Sequence, residues 1–338
     1  MTNLRGALNA LGGGRWGWLG PVAGLALVFA LFAAIGPPSF REWGNVETIL
    51  RQTAIVGSAA LGMTVVIIAG GIDLSVGSIV ALCTVIVALV LAGGHGPLLA
   101  AMAGVGAGLA CGFVNGQLIT RLRVVPFIVT LGTLLLARGL AKGLAREQTV
   151  SAPATGLNSL LASLPDSQAW MIVPAGVWIT VLLAVAVSAL LRLTRPGRYF
   201  FALGSNEQAA RLSGVPVNAV KAAVYSLAGL FAGVAGVLQF SRLTVGDPTV
   251  ASGLELDVIA AVVIGGGSLS GGEGSVLGSL VGALIMSVIR NGCAQMFLPN
   301  WVQEIVTGAI IVLAVALDRM RHRAGEQAAL TQRPDASA

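Results

Sequence analysis

The composition of this 338-residue chain excludes a water-soluble globule. Hydrophobic residues make up 56% of it, charged residues only 10%, and the mean hydropathy is +0.88, whereas soluble domains carry about 25% charged residues. The net charge of +6 does not indicate a nucleic-acid partner, because the basic residues are scattered along the chain rather than clustered. It fits the surplus of arginine in the cytoplasmic loops of membrane proteins.

A chain of this composition is solvated by membrane lipid, and the sequence therefore predicts an all-α, polytopic transmembrane helical bundle. The hydrocarbon core of a bilayer is about 30 Å thick, so each spanning helix needs about 20 apolar residues. The length therefore allows about ten spans joined by short loops. Cys83, Cys111 and Cys293 lie singly in apolar stretches, and we interpret them as small hydrophobic residues.

The N-terminal residues 1–17 carry Arg5 and Arg15 and precede a long apolar run. That run covers residues 18–36 and is longer than the about 7–15 residues of a signal-peptide core. We therefore interpret it as a retained first transmembrane helix, with residues 1–17 as a cytoplasmic segment. A cleaved signal peptide is the alternative.

Apolar segments follow one another through residues 18–317, which form the predicted transmembrane domain. The eighth is too short to span alone. Spans that start inside place both termini in the cytoplasm together with most of the basic residues. The segment 318–338 is then a cytoplasmic tail, predicted to be disordered from Gly325 onwards. The predicted segments are 18–36, 53–69, 77–93, 97–119, 126–145, 170–191, 221–240, 256–267, 274–291 and 301–317.

Residues 65–75 and 261–270 resemble each other, since both are apolar helix ends that run into glycine and then a Leu-Ser pair. Paired glycine-interrupted segments in the two halves of a transporter indicate discontinuous helices along the transport pathway. The pattern predicts Gly-interrupted helical hairpins in a two-half pseudo-repeat, and independent convergence on a tight turn is the alternative. The pathway candidates are Gly70, Gly71, Asp73, Ser75, Gly265, Gly266 and Ser268.

Asp73 lies in the first of these hairpins, where a carboxylate is costly unless it has a partner. As the N-cap of the following helix it would accept a backbone N–H from Ser75 or Val76. Direct contact with a transported solute is the alternative. Capping is the preferred interpretation.

Other charged residues lie near the outer ends of the predicted spans. Glu255 and Asp257, at the start of the eighth span, are candidates to hydrogen-bond a solute, to dock an external protein or to form a solvated periplasmic rim. A basic cluster at the outer end of the fifth span either pairs with Glu147 or faces a cavity, since unpaired charges do not face lipid. The cluster consists of Arg138, Lys142 and Arg146.

The longest polar stretch, residues 192–220, contains a short helix with defined ends. Ser205 and Gln208 have the spacing of a capping box. Gly214 can adopt the left-handed conformation that ends a helix, and Pro216 prevents its continuation. These signals predict a helix of about eight residues, roughly 12 Å long.

The surface of this predicted helix favours a protein partner. Glu207 and Arg211 form an i,i+4 pair, and the Ala209–Ala210 pair allows another backbone to approach closely. A bounded loop helix suits docking into a groove on another protein. An amphipathic helix resting on lipid headgroups is the alternative, but the helix has few large apolar side chains with which to enter the interface.

The sequence shows no sign of catalytic chemistry. It contains no G-x-x-x-x-G-K-[ST] motif, no nucleophile–histidine–acid arrangement and no grouping of metal ligands. We therefore predict no enzymatic activity, no cofactor and no metal. Any energy for transport comes from a partner or an ion gradient.

Four motifs, in order along the chain, resemble those of ribose-type permease subunits of bacterial ABC importers. The loop segment 207–214 resembles the EAA loop, which is the coupling helix that the ATP-binding subunit grips, with Gln208 where the family has alanine. The resemblance extends over about residues 45–317. The other motifs are residues 70–78, residues 114–116 with 126–133, and residues 255–266.

This resemblance implies a permease subunit of the bacterial inner membrane that translocates a small sugar or sugar-like solute. It implies an ATPase subunit, a second permease subunit and a periplasmic solute-binding protein as partners. It also adds Asn115 to the pathway candidates. It identifies neither the solute nor whether the two permease subunits are identical. The implied ATPase-coupling residues are Glu207, Ala209, Ala210, Arg211 and Gly214.

Two other functions remain open from the sequence. A proton-coupled secondary transporter would use Asp73, Glu255 or Asp257 as a proton relay and would transport when alone in the membrane. A non-transporting membrane scaffold is the second. The bounded loop helix favours the importer because a secondary transporter has no ATPase to dock, and a scaffold does not explain the paired glycine turns.

Overall fold

The computed structural model describes residues 19–331, and within this range the chain forms twelve α-helices. The only β-structure there is a two-residue antiparallel pair, β1 (Val150–Ser151) with β2 (Val245–Gly246). Three 3₁₀ turns are present at Pro38–Arg41, Asn158–Leu160 and Asp166–Met171. The helices are α1 (Leu19–Ile35), α2 (Trp43–Ile68), α3 (Val76–Ala92), α4 (Pro97–Leu122), α5 (Pro126–Leu144), α6 (Ala175–Leu193), α7 (Arg195–Ser205), α8 (Glu207–Leu212), α9 (Val217–Leu243), α10 (Leu254–Ile264), α11 (Val276–Gln295) and α12 (Asn300–Thr331).

Every apolar segment predicted from the sequence overlaps a helix of the structure. Six helices of the described range are long and apolar enough to cross a membrane, namely α2, α4, α5, α6, α9 and α11. The helix α1, the helix α3 and the first part of α12 are apolar but shorter. The predicted short eighth segment is α10, whose 11 residues extend about 16 Å at 1.5 Å per residue. The protein is therefore a polytopic helical membrane protein.

The helices are arranged in an inner and an outer group. The apolar stretches of α2, α9 and α11 are mostly buried, whereas less than a third of those of α4, α5 and α6 is buried. Glycines bring α4 and α9 into backbone contact, since a Cβ on Gly112 would meet the backbone of Tyr225 and Gly229. Small residues at such contacts are typical of helices packed within a bilayer, where close van der Waals contact replaces the hydrophobic effect.

The two ends of the bundle differ in the segments that they carry. We call the end with α7 and α8 the loop end, and it also carries the turns after α2 and α10. The opposite end, which we call the far end, carries the β1–β2 pair and the long connection between α5 and α6. This connection is fastened to α9 because the hydroxyl of Ser241 accepts a hydrogen bond from Leu161 N at 2.9 Å.

The structure corrects three boundaries. The helix α2 begins at Trp43 rather than at residue 53, and α6 begins at Ala175 rather than at residue 170. The helix α12 continues to Thr331, so the prediction of disorder from Gly325 is wrong up to that residue, because Glu, Gln, Ala and Leu there are good helix formers. The predicted cytoplasmic segment 1–17 and the last part of the tail, 332–338, lie outside the described residues.

Candidate functional site

The loop between α6 and α9 forms two consecutive short helices. Thr194 caps α7, and its hydroxyl accepts a hydrogen bond from Gly197 N at 3.3 Å. Asn206 caps α8, since its side-chain oxygen accepts from Ala209 N at 2.9 Å. The predicted capping box at Ser205 is therefore wrong, because Ser205 is the last residue of α7 and only Asn206 has the extended backbone that an N-cap requires. The helix α8 has six residues rather than about eight.

The end of α8 agrees with the sequence prediction. Gly214 has a φ of +81°, and its N–H donates to the carbonyl of Arg211 at 3.1 Å. The N–H of Val215 donates to the carbonyl of Ala210 at 3.0 Å. These two bonds form the usual glycine-dependent helix end, so the left-handed role predicted for Gly214 is confirmed.

One ion pair lies within α8, and a second holds α8 against the start of α9. The Glu207 carboxylate contacts Arg211 at 3.1 Å, as predicted, and also Lys221 at 2.8 Å. The hydrogen bond from the Lys221 ammonium group holds the pKa of Glu207 below its usual value. The stabilisation is therefore complete above the ordinary pKa of glutamate and is lost as the pH falls through the lowered one.

Only part of the predicted contact surface of α8 is accessible. Ala209 is exposed, but Ala210 is buried within the chain, so the prediction that both alanines face a partner is wrong for Ala210. Their adjacency places them on different faces of the helix. Leu212 is 90% exposed and was missed by the sequence analysis. A large apolar residue in a polar loop was the available signal.

The two glycine-interrupted segments share one local geometry. After α2, Gly70 N donates to Ile67 O and Gly71 N to Val66 O, both at 2.9 Å. After α10, Gly266 N donates to Val263 O at 3.0 Å and Gly267 N donates to Val262 O at 2.8 Å. Gly70 and Gly266 both have positive φ angles. The similarity in sequence therefore corresponds to the same helix C-terminal motif.

These turns lie at the loop end and pack against protein. A Cβ on Gly71 would meet the Tyr225 hydroxyl, and one on Gly265 would meet the backbone of Gly278. Ser268 is buried and accepts a hydrogen bond from Ser270 N at 3.2 Å. The structure thus brings Gly70, Gly71, Gly265, Gly266 and Ser268 together at one end of the bundle. Their role in translocation stays a prediction.

Asp73 ends a buried chain of hydrogen bonds. Its Oδ1 atom accepts from Ser75 N at 2.9 Å and from the Ser75 hydroxyl at 2.5 Å. The Asn115 amide donates to the Ser75 hydroxyl at 3.0 Å and accepts from the Thr133 hydroxyl at 2.6 Å. The bond predicted from Ser75 N to Asp73 is confirmed, but the prediction that Asp73 is the N-cap is wrong, because α3 begins at Val76 and Ser75 is its N-cap. This series of hydrogen bonds explains why Asn115 is buried at this place. The sequence did not identify Thr133 as a member of it.

This geometry predicts how Asp73 responds to substitution. Asp73→Asn keeps an oxygen that accepts from Ser75, so we expect most of the transport activity to remain. Asp73→Ala removes that acceptor and is expected to cost about 1 kcal/mol of local stability and to lower the yield of assembled protein. Solute uptake and assembled yield should be measured on both variants. An Asn variant that assembles normally but does not transport contradicts the assignment of Asp73 as a structural acceptor of hydrogen bonds from Ser75.

The far end contains a cavity of about 320 Å³ between α2, α9, α10, α11 and α12. Asp257 forms part of its wall, is only 1% exposed and pairs through Oδ2 with Arg290 Nη2 at 2.6 Å. The interpretation of Asp257 as a solvated rim residue is therefore wrong. Its Oδ1 atom has no hydrogen-bond partner among the described residues. Other polar residues of the wall are Gln52, Gln239, Arg242, Ser252, Ser287 and Gln303.

Of the residues predicted for the pathway or the rim, only Asp257 lines this cavity. Glu255 lies two residues before Asp257 in α10 and is partly buried. For Arg138, the sequence analysis offered two alternatives, pairing with Glu147 or facing a cavity. In the structure its Nη1 donates to the carbonyls of Pro248 and Val250 at 2.9 and 2.7 Å. It therefore fastens α5 to the segment before α10. Arg290 was missed, and a single arginine within an apolar helix was its signal.

Comparison with known proteins identifies the family. Residues 45–315 match the family described as branched-chain amino acid transport system / permease component. The chain is 42% identical over 304 residues to the ribose import permease protein of Bacillus subtilis (strain 168), covering 90% of this chain and 93% of that protein. It is 39% identical over 312 residues to the ribose import permease protein of Escherichia coli (strain K12), covering 90% and 95%.

A third relative, the L-arabinose ABC transporter permease protein of Azospirillum brasilense, is 36% identical over 312 residues, covering 91% of this chain and 90% of that protein. No solved structure matches the chain. The family match covers most of the sequence, and these relatives align over nearly their whole length. The chain therefore belongs to this family of ABC importer permeases, which are transport components rather than enzymes.

Proposed function

We propose that the chain translocates a small sugar or sugar-like solute as the permease subunit of a bacterial ABC importer. The α7–α8 loop carries this proposal: both of its helices are capped, α8 is fastened to α9 by Lys221, and Leu212 is left exposed. A rigid loop that presents one large apolar side chain suits a groove on a partner protein. A proton-coupled carrier has no ATPase for such a loop to engage.

The names of the relatives and the cavity support a sugar as the solute. The relatives include import permeases named for ribose, arabinose and fructose. The cavity volume of about 320 Å³ lies at the lower end of known ligand pockets, which suits a monosaccharide better than an oligosaccharide. Its wall offers a carboxylate, two guanidinium groups and three side-chain amides, which can hydrogen-bond several hydroxyl groups.

We propose ten membrane-crossing segments, with α10 and the following turn together forming the eighth. Both termini and the loop end then lie in the cytoplasm of a bacterial cell, and the far end faces the periplasm. Arg192, Arg195, Arg198 and Arg211 lie on or beside the loop, which supports this orientation. A cysteine at Ser205 that is labelled by an impermeant reagent from outside contradicts it. The matching ends of α2 and α10 support a two-half pseudo-repeat.

The partners follow from this arrangement. We assign Glu207, Ala209, Arg211, Leu212 and Gly214 to contact with, or presentation to, an ATP-binding subunit at the loop end. A periplasmic solute-binding protein delivers the solute at the far end. Exposed apolar residues on α4, α5 and α6 contact membrane lipid or a second permease subunit. The glycine turns and the Asp73 network line or support the path between the two ends.

The proposal is tested by reconstituting the chain in proteoliposomes with its ATPase and binding protein. We expect ATP-dependent uptake of a monosaccharide such as ribose and no uptake by the chain alone. Leucine, suggested by the family description, serves as the competing solute. Uptake by the chain alone that collapses with the proton gradient supports the carrier instead, and uptake of leucine but no monosaccharide overturns the sugar assignment.

A further inference from the structure

Three backbone segments meet at one point of the loop end. The N–H of Gly272, in the turn after α10, donates to the carbonyl of Ile68 at the end of α2 at 2.9 Å. Gly204, in the last turn of α7, lies against both, since a Cβ there would meet Ile68 O and Gly272 N. A Cβ on Gly271 would lie 2.7 Å from Gly204 O and 2.9 Å from Gly70 Cα. We call these residues the glycine joint.

The turn at the joint is continuous with two closely packed helices. A Cβ on Gly278 of α11 would meet the carbonyl of Gly265, and one on Gly282 would meet the carbonyl of Ala261 in α10. The start of α11 is also fixed to α2, because the Thr64 hydroxyl donates to the Ser279 hydroxyl at 2.7 Å. Backbones in direct contact leave no side chain that could absorb a displacement. The α10–turn–α11 hairpin therefore behaves as one stiff unit.

The other end of this hairpin forms the wall of the cavity. Asp257, in the first turn of α10, pairs with Arg290 near the end of α11, and both residues line the cavity. The hairpin thus touches the α7–α8 loop at one end and the cavity at the other.

We propose that the α10–α11 hairpin relays movement of the α7–α8 loop to the cavity, and that Gly204 is the positioning residue that makes this contact possible. This inference rests on the proposed function, in which an ATPase moves the loop. Any side chain at position 204 separates α7 from the hairpin, because the atoms around it belong to backbone and cannot rotate away. The loop then still docks, but its movement no longer reaches the cavity.

The test measures cavity access as a function of nucleotide. Ser252 is exposed and lines the cavity, so a cysteine at this position reports access through its labelling rate, corrected for the parent protein. In the assembled transporter we expect a non-hydrolysable ATP analogue to change this rate about five-fold or more, as for coupled sites. Gly204→Ala should keep the nucleotide-free labelling rate and nucleotide binding but reduce the response to less than about two-fold.

Gly132→Ala is the matched control, because Gly132 is also helical and a Cβ there meets nothing within 4 Å. It should respond like the parent. An undiminished response in Gly204→Ala overturns the relay, whereas absence of any response in the parent overturns the coupling function itself and the relay with it. If Gly204→Ala does not assemble, Gly274→Ala replaces it, since its methyl group meets the Ile68 side chain at 2.6 Å and otherwise only the Gly267 Cα, at 3.9 Å. A reduced response supports the relay, and an unchanged one overturns it.

Discussion

Replacing Arg290 by alanine is expected to reduce the yield of folded permease strongly, because it leaves the buried carboxylate of Asp257 without its partner. Removing one member of a buried ion pair typically costs about 3–5 kcal/mol, and we expect a cost near the lower end, about 3 kcal/mol. The reason is that the Arg290 side chain is 45% exposed, so water already screens part of the pair. The cost is measured by heating the detergent-purified variant and the parent protein and comparing the fractions that stay monodisperse.

Two further variants separate the ion pair from other effects. Arg290→Ala combined with Asp257→Asn removes both charges, and we expect it to recover most of the lost stability, since no unpaired charge remains. Arg242→Ala is the matched control, because Arg242 lines the same cavity but is exposed. If Arg290→Ala and Arg242→Ala are equally stable, the pair with Asp257 does not hold α10 against α11.

Glu207→Lys is expected to weaken coupling strongly without preventing membrane insertion. The substitution replaces two attractive contacts, with Arg211 and Lys221, by a cluster of three cations at the start of α8. Like charges at i,i+4 destabilise a helix, so α8 moves away from the start of α9. We expect solute-stimulated ATP hydrolysis to fall about tenfold, which corresponds to about 1.4 kcal/mol of lost docking energy.

The control for this prediction lies one residue away. Gln208→Lys adds one positive charge at an exposed position without removing either contact of Glu207. We expect it to retain roughly half of the solute-stimulated ATP hydrolysis or more, because a single charge at the edge of an interface changes affinity little. Equal losses in both variants identify added charge as the cause, and unchanged stimulation in Glu207→Lys refutes the coupling role of α8.

The apolar helices could be predicted because each depends on a local property, the length of an apolar run. Their ends could not be predicted where a helix leaves the apolar layer. The helix α2 includes Asn45, Glu47 and Arg51 because polar residues continue a helix as readily as apolar ones once it has started. The length of α8 was predicted wrongly because its first residue depends on a neighbouring helix. Ser205 and Asn206 are both good caps, and only the position of α7 decides between them.

The site shows the same division between local and distant contacts. The bond from Ser75 to Asp73 joins residues two positions apart and was predicted from the turn alone. The pair between Asp257 and Arg290 joins two helices, and no spacing rule connects them. The cavity depends on five helices at once, so its residues could be recognised only after those helices were placed. The glycine signals were read correctly as turns, but their mutual contact at the loop end was not visible in the sequence.

The hydrogen bonds that end at Asp73 all run in one direction. The proton of Thr133 points to Asn115, that of Asn115 to Ser75 and that of Ser75 to Asp73, so the bond dipoles add and end with their positive side at the carboxyl group. A row of aligned dipoles solvates a carboxylate without a neighbouring cation. It also restricts which residues suit position 115. The side chain there must accept a hydrogen bond from Thr133 and donate one to Ser75, as Asn115 does. The outer helix α5 thereby takes part in solvating a carboxylate whose hydrogen bonds come directly from Ser75.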